Sequence, residues 1–275
     1  MRTRLLISAL VLPFFVWMLL AASPIPFIAF ATLVAGLGML EYGGILKQRG
    51  LKPAPLLGLL FVLAWMAARY PSAWLPGPLA ALSGLPSGML MGAAFLALAW
   101  FHVLRGDAQG GMASLWADLF GVLWLGWLGS FFVRLHLLPF GGYWSFSLFF
   151  MVWVYDAGAY FIGRSLGRTP LSPLSPKKTV EGLLGGLAIT GALSVLLLPM
   201  ILPAGFPLSR RQLALLGVLA GLFAQAGDLL ESMLKRHVGV KDSGRLLLKL
   251  GGFLDKLDSP LFTAPLFWWV ATHLN

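Results

Sequence analysis

The chain has 275 residues, of which 59% are hydrophobic and 11% charged, with 20 Lys and Arg against 10 Asp and Glu. A soluble domain carries about 25% charged residues, so a water-soluble globular enzyme is excluded, and the length leaves no room for a large soluble domain. The absence of cysteine excludes disulfides, thiolate metal sites and cysteine nucleophiles, and His102, His136, His237 and His273 lack zinc-like spacing.

In chain order, the apolar runs predict an all-α polytopic membrane bundle of about nine transmembrane helices, at roughly 5–22, 26–45, 55–68, 86–104, 113–138, 143–163, 182–203, 212–233 and 259–274. A span needs about 20 residues, so the third and ninth are short. Residues 1–23 carry some marks of a signal peptide, with Arg2, Arg4, an apolar run and Ala21-Ala22-Ser23. Pro24 and the next apolar run follow at once, which favours a retained first span. Pro- and Gly-rich segments near 71–88, 139–142 and 203–207 read as loops. With the N-terminus in the cytoplasm, 16 Lys and Arg fall on the cytoplasmic side and 4 outside, the positive-inside pattern. The expected location is therefore the cell (inner) membrane, with the N-terminus and the charged loops cytoplasmic. Such a face attracts anionic lipid headgroups and nucleotides. Nucleic acid is not an expected partner, because there is no soluble basic domain. Residues 1–275 read as one membrane domain, with 1–140 mainly scaffold and 143–275 holding the chemistry.

Two constellations stand out. The first follows span six: Tyr155-Asp156, Tyr160, Gly163-Arg164, Arg168, then Ser175-Pro176-Lys177-Lys178-Thr179 and Glu181-Gly182. Asp156 and Tyr160 share a helix face. Ser175-Pro176 is a good N-cap and first-turn pair, which would put Lys177, Lys178 and Thr179 at a helix N-terminus suited to phosphate. The bland alternative is a capped span with topogenic lysines. Gly182 and Gly186 read as helix-packing glycines.

The second constellation gathers five of the ten acidic residues and six of the twenty basic ones between Gly227 and Ser259. The purely apolar part of span eight, Leu213–Ala224, is too short to cross alone, so the helix must continue through its polar end. At about 100° per residue, Asp228, Glu231, Ser232 and Lys235 fall on one face, where Glu231 and Lys235 make an i,i+4 pair. The deeper position of Asp228 beside Gly227 favours function. Asp255 and Asp258 share a face if helical, and with Asp228 supply hard oxygen ligands of the kind that hold Mg²⁺ together with substrate phosphates. The aspartates also suit the cap of span nine, Asp258 above all. Between them lie Arg236, Lys241, Asp242, Arg245, Lys249, Gly251 and Gly252. Lys241-Asp242-Ser243-Gly244 reads as a structured turn.

Together these blocks resemble the membrane phosphatidate cytidylyltransferases, or CDP-diacylglycerol synthases. The family's Gly-Asp-Leu-x-Glu matches Gly227 to Glu231. Its Ser-x-x-Lys-Arg, Lys-Asp, Gly-Gly and Asp-x-x-Asp positions match Ser232, Lys235, Arg236, Lys241, Asp242, Gly251, Gly252, Asp255 and Asp258. Its upstream elements match Asp156, Ala159, Tyr160, Gly163, Arg164 and Ser175 to Gly182. The resemblance covers about a quarter of the chain by motif. It implies that CTP and phosphatidate give CDP-diacylglycerol and pyrophosphate. It implies catalytic roles for Asp228, Lys235, Arg236, Lys241, Asp242 and Asp255. Substrate contacts are implied for Asp156, Tyr160, Arg164, Ser175, Lys177, Lys178, Thr179, Glu181, Ser232, Gly251, Gly252 and Lys256. Mg²⁺ would sit on Asp228, Asp255 and Asp258, with a monovalent cation such as K⁺ beside it. The expected partners are CTP, phosphatidate and anionic membrane lipid; oligomeric state, including a homodimer, is left open.

The chain departs from the signature at three positions: Leu248 replaces Pro, Leu250 replaces His and Lys256 replaces Arg. Lys256 keeps the charge and loses the bidentate fork. These departures motivate a rival, a diverged lipid-binding protein without catalysis. A CTP-dependent lipid kinase is a rival within enzymes. A transporter would place its carboxylates near the bilayer midplane between repeats, whereas these lie toward one end of their spans and no repeat is visible.

Overall fold

The structure, a computed structural model, describes residues 2–21, 23–240 and 252–274, with side chains described from residue 11 onward in those ranges. Helices α1 (Arg2–Leu20), α2 (Ile25–Gln48), α3 (Pro55–Ala67), α4 (Ser87–Arg105), α5 (Gly111–Gly121), α6 (Ser130–His136), α7 (Gly141–Leu166), α8 (Val180–Leu196), α9 (Arg210–Val238) and α10 (Leu254–His273) make up the architecture. Among the described residues there is no strand beyond one isolated bridge, Pro170 with Thr179. The expected all-α class holds, because a backbone without water must satisfy its own hydrogen bonds.

Every predicted apolar run coincides with a helix, while the described residues do not confirm the count of nine spans. Among the described residues, six helical stretches are long and apolar enough to cross a bilayer: Ile25–Gln48, Ser87–Arg105, Gly111–His136, Gly141–Leu166, Val180–Met200 and Arg210–Val238. The chain is an integral membrane protein. Helix α3 has 13 residues, about 20 Å of rise against a hydrocarbon core of about 30 Å. Helix α1 has 19 residues, Arg2–Leu20. The 20 residues of α10 include Asp255, Lys256 and Asp258 in its first two turns. Within Gly111–His136, α5 runs through a π-helical segment, Val122–Leu128, into α6.

The helices group into two compact units that do not follow chain order. One comprises Ile25–Arg134 and His237–Asp255. Its core includes Trp65, Leu98, Leu119 and Val122. Helix α2 lies against α3 through Gly58, where an added Cβ would collide with Met39, and against α5 through Gly121, where it would meet the Tyr42 ring. A buried polar knot pins the link between α2 and α3. Asp118, fully buried, lies 2.8 Å from His102 Nε2 and accepts from Ala54 N at 2.9 Å. Ser114 Oγ accepts from Lys52 N at 3.0 Å, and Arg105 donates to Lys52 O at 2.8 Å. The Lys52 ammonium and the Gly110 N–H hold the Asp107 carboxyl below the usual carboxylate range. His102→Ala should cost about 1.5–3 kcal/mol, the worth of a hydrogen bond to a charged acceptor. The unfolding midpoint in detergent, followed by tryptophan fluorescence, checks this; an unchanged midpoint means that the knot carries no stability.

The other unit comprises residues 1–24, Leu135–Arg236 and Lys256–Asn275. Helix α1 lies on α7 through aromatic contacts, Phe15 to Phe149 at 4.9 Å and Phe15 to Trp153 at 5.8 Å between ring centroids. Helices α7 and α8 touch backbone to backbone. A Cβ on Gly182 would lie 2.8 Å from Ala159 O, and one on Gly186 would lie 3.1 Å from Ala159 N. Both act as the packing glycines expected from the sequence, a small-residue interface of the kind that lets membrane helices approach closely. Gly227 does the same between α9 and α10, where an added Cβ would run into the Asp258 carbonyl.

Candidate active site

The C-terminal half of α7, the link 167–179, the start of α8 and the polar half of α9 enclose a cavity of about 540 Å³ within the second unit. Helix α7 contributes Asp156 and Tyr160, one turn apart on a single face, and then Arg164. Arg164 Nη1 donates to Tyr160 Oη at 2.9 Å, and the Tyr160 ring stays 57% exposed. Gly163, against Gly182, lets the two helices close at the cavity's edge.

The link folds back on itself. Leu171 N donates to Lys178 O at 2.8 Å and Val180 N to Thr169 O at 2.9 Å. Two turns, Ser175 N to Ser172 O and Lys178 N to Ser175 O, reverse the chain. The N-cap expected at Ser175-Pro176 is therefore corrected. The chain is still extended at Thr179 (φ −124°, ψ 153°), whose side chain accepts from Gly182 N at 3.1 Å and caps α8. Lys177 and Lys178 precede the helix instead of lying in its first turn, yet both line the cavity with Ser175 and Thr179. Glu181 is not among the residues that line the cavity. Its oxygens accept from Arg168 N at 3.1 Å, Thr169 N at 3.2 Å and Thr169 Oγ1 at 2.9 Å, which ties the link to α8.

Helix α9 brings Asp228 to the cavity, where it forms an ion pair with Lys178 Nζ. Ser232 Oγ donates to Asp228 Oδ1 at 3.4 Å, and Lys235 pairs with buried Glu231 at 2.7 Å. The shared face expected for Asp228, Glu231, Ser232 and Lys235 is present. Arg236 Nε reaches Leu174 O at 3.4 Å, which holds the link from below. Ser232, Lys235 and Arg236 lie outside the cavity lining. Asp156, Asp228 and Asp258 are close enough to act on one another electrostatically, with Lys178, Lys235 and Lys256 as the opposing cations.

Asp258 is not the cap of α10. It lies in the second turn, buried, and its Oδ1 accepts from Ser259 N at 2.8 Å. The helix begins four residues earlier because other carboxylates satisfy its first N–H groups. Asp255 Oδ2 accepts from Gly252 N at 2.8 Å, and Glu41 Oε2 accepts from Leu254 N at 3.0 Å. Lys241, Asp242 and Gly251 lie outside the described residues, as do Leu248 and Leu250.

Residues 2–274 match the family model described as the cytidylyltransferase family. The chain belongs to that family. It is 34% identical over 304 residues to the phosphatidate cytidylyltransferase of Synechocystis sp., covering 100% of this chain and 98% of the relative. It is 31% identical over 277 residues to the phosphatidate cytidylyltransferase of Bacillus subtilis, covering 98% and 97%. Similarity also extends to an uncharacterized protein of Escherichia coli, YnbB, at 37% over 188 residues, 64% of this chain and 60% of that one.

Gln225 and Glu41 of this cytidylyltransferase-family chain escaped the sequence reading, which includes Tyr155 in the first constellation without a task. Tyr155 and Gln225 line the cavity beside Asp156 and Asp228. Glu41 sits buried mid-helix in α2 under the start of α10. An acid within an apolar run is costly and needs a partner; that signal was present at Glu41. Among the described residues no group of three or more His, Cys, Asp or Glu forms a metal cage. Mg²⁺ needs only one or two carboxylates plus substrate phosphates. Asp228, with Asp156 and Asp258 in electrostatic reach, offers hard oxygen donors of that kind, and the Lys178 ammonium marks Asp228 as a place that draws positive charge.

Proposed function

We propose that the chain is a phosphatidate cytidylyltransferase of the cell membrane, with its N-terminus and the cavity on the cytoplasmic side. A phosphate oxygen of phosphatidate forms a bond to the α-phosphorus of CTP. The bond from that phosphorus to the bridging oxygen of the β-phosphate breaks, and pyrophosphate leaves. No covalent enzyme intermediate is needed. The observation that supports this reading best is the cavity itself, in which Arg164, Lys177 and Lys178 face Asp156 and Asp228.

Each residue has a distinct task in the reading. Arg164, Lys177 and Lys178 bind and orient phosphates and stabilise charge as it moves to the leaving group. Asp228 and Asp258 are the proposed holders of Mg²⁺, and Asp255 is the further carboxylate that the signature contributes. When bound, Mg²⁺ neutralises phosphate charge and orients the nucleotide; K⁺ is the proposed companion ion. Tyr160 offers an exposed ring at the rim, tethered by Arg164. Ser232 and Glu231 position Asp228 and Lys235.

The test is pyrophosphate release by purified protein in detergent with CTP, phosphatidate and Mg²⁺, with the lipid product identified by mass. Release of CDP with a phosphorylated lipid would mark a lipid kinase, and no release would favour a lipid-binding protein. Replacing Lys177 and Lys178 together with Gln should raise the KM for CTP or phosphatidate about 10-fold, the loss of a charge-assisted contact. Unchanged kinetics with altered membrane orientation would mean that these lysines only set topology.

A further inference from the structure

Gln225 lies on α9 one turn before Asp228, 7% exposed, and lines the cavity. Its carboxamide is held by one partner. Tyr155 Oη donates to Gln225 Oε1 at 2.7 Å. The Tyr155 ring is itself fixed between two helices at glycines, since a Cβ on Gly186 would come within 3.0 Å of the ring and one on Gly221 within 2.7 Å. Because the hydroxyl donates, the carboxamide must turn its oxygen toward Tyr155 and its nitrogen away. Gln225 Nε2 is buried with no hydrogen-bond partner among the described residues. A buried N–H pair without an acceptor is a standing cost. The neighbouring cavity is lined by three cationic side chains, so the acceptor that suits it is an anion's oxygen.

We infer that Gln225 Nε2 is a substrate-binding donor that receives a phosphoryl oxygen in this cavity, with Tyr155 as the residue that positions it. The inference rests on the proposed function for the identity of the substrate, and the oxygen belongs either to the triphosphate of CTP or to the phosphate of phosphatidate. The chemistry explains the choice of residue. A phosphoryl oxygen drawn toward Asp228 meets a carboxylate that repels it, and an amide adds a donor there without adding a charge to the Lys178–Asp228 pair. Lysine would compete with Lys178 for Asp228, and leucine would leave the oxygen desolvated and unpaired.

The test compares Gln225→Leu, Tyr155→Phe and the double variant Tyr155→Phe/Gln225→Leu with wild type, all in detergent. The double variant matters because removing both partners of a buried hydrogen bond together is close to neutral for folding. Steady-state pyrophosphate release is measured with CTP varied and then with phosphatidate varied. Gln225→Leu and the double variant are expected to raise one KM about 10-fold to 100-fold, the range for a hydrogen bond to a charged acceptor. Tyr155→Phe is expected to raise the same KM less. The KM that moves names the source, nucleotide or lipid. KM values within about 2-fold of wild type in the double variant overturn the inference, and so does a loss in kcat alone. A second readout is the rise in unfolding midpoint on adding CTP, or phosphatidate in mixed micelles, to the resting protein. If wild type releases no pyrophosphate, the proposed function fails and this readout decides. A ligand-induced rise present in wild type and lost in the double variant upholds the donor role; equal rises, or none in either, overturn it.

Discussion

Turnover is expected to fall about 1000-fold in Asp228→Asn, equivalent to about 4 kcal/mol in the barrier, while the protein still inserts and folds. The substitution keeps the shape and removes the charge. Loss of a carboxylate that holds a divalent cation and its phosphates removes several kcal/mol of charge stabilisation. Folding should be little affected, because the Asp228 and Lys178 side chains are 30% and 25% exposed and ion pairs open to solvent contribute little. Asp255→Asn should show a similar loss of turnover, together with a weaker start to α10 where its Oδ2 accepts from Gly252 N. Near-normal pyrophosphate release at ordinary Mg²⁺ in Asp228→Asn would remove that residue from the reaction.

Gly227→Ala should destabilise the protein by about 1–3 kcal/mol, the cost of overpacking a closed contact. The obstacle is the backbone carbonyl of Asp258, which no rotamer change can move. Relief requires α9 and α10 to separate, and Asp228 is the next residue in the chain, so activity should fall with stability. Gly92→Ala in α4 is the control. Nothing lies within 4 Å of the Cβ that would be added there, and alanine is the better helix former by about 1 kcal/mol. A midpoint lowered only in Gly227→Ala ties the effect to helix contact; equal midpoints in both variants would show that the α9–α10 contact is not tight.

Much of this arrangement was legible in the residues. The helix class followed from apolar runs, and the continuation of α9 past its apolar part through Asp228 followed from the shortness of that part; its end at Val238 did not. The shared face of Asp228, Ser232 and Lys235, and that of Asp156 and Tyr160, followed from helical period. The fold of the link did not follow, because its register is set by backbone pairs such as Leu171 with Lys178, which leave no trace in side-chain type. Ser175-Pro176 and Thr179 are both good helix starts; Thr179 wins because the bridge to Pro170 keeps the chain extended up to that residue. The grouping of α1 with α7 was also hidden, since the choice rests on how Phe15 meets Phe149 and Trp153. Gln225 was overlooked as one amide in an apolar stretch; only its bond to Tyr155 and its place on the cavity give it meaning.

The cavity's two kinds of charge are made at different moments of synthesis. Helices α7 and α8 are neighbours in the chain and seal together through Gly158, Gly182 and Gly186, so this hairpin can enter the bilayer as one piece. It already contains Arg164, Lys177 and Lys178, while Asp228 emerges only 50 residues after Lys178. For that interval three cations stand together, opposed within the cavity only by Asp156, and such a charge resists translocation. The lysines are then expected to act first as an anchor for the orientation of the hairpin, which a glycosylation-reporter topology assay of the variant with both lysines replaced by Gln would check. Only when α9 is delivered, bringing Gln225 and Asp228, is the lining of the cavity complete. On the proposed function, one set of residues would serve twice in succession, as insertion signal and as phosphate grip.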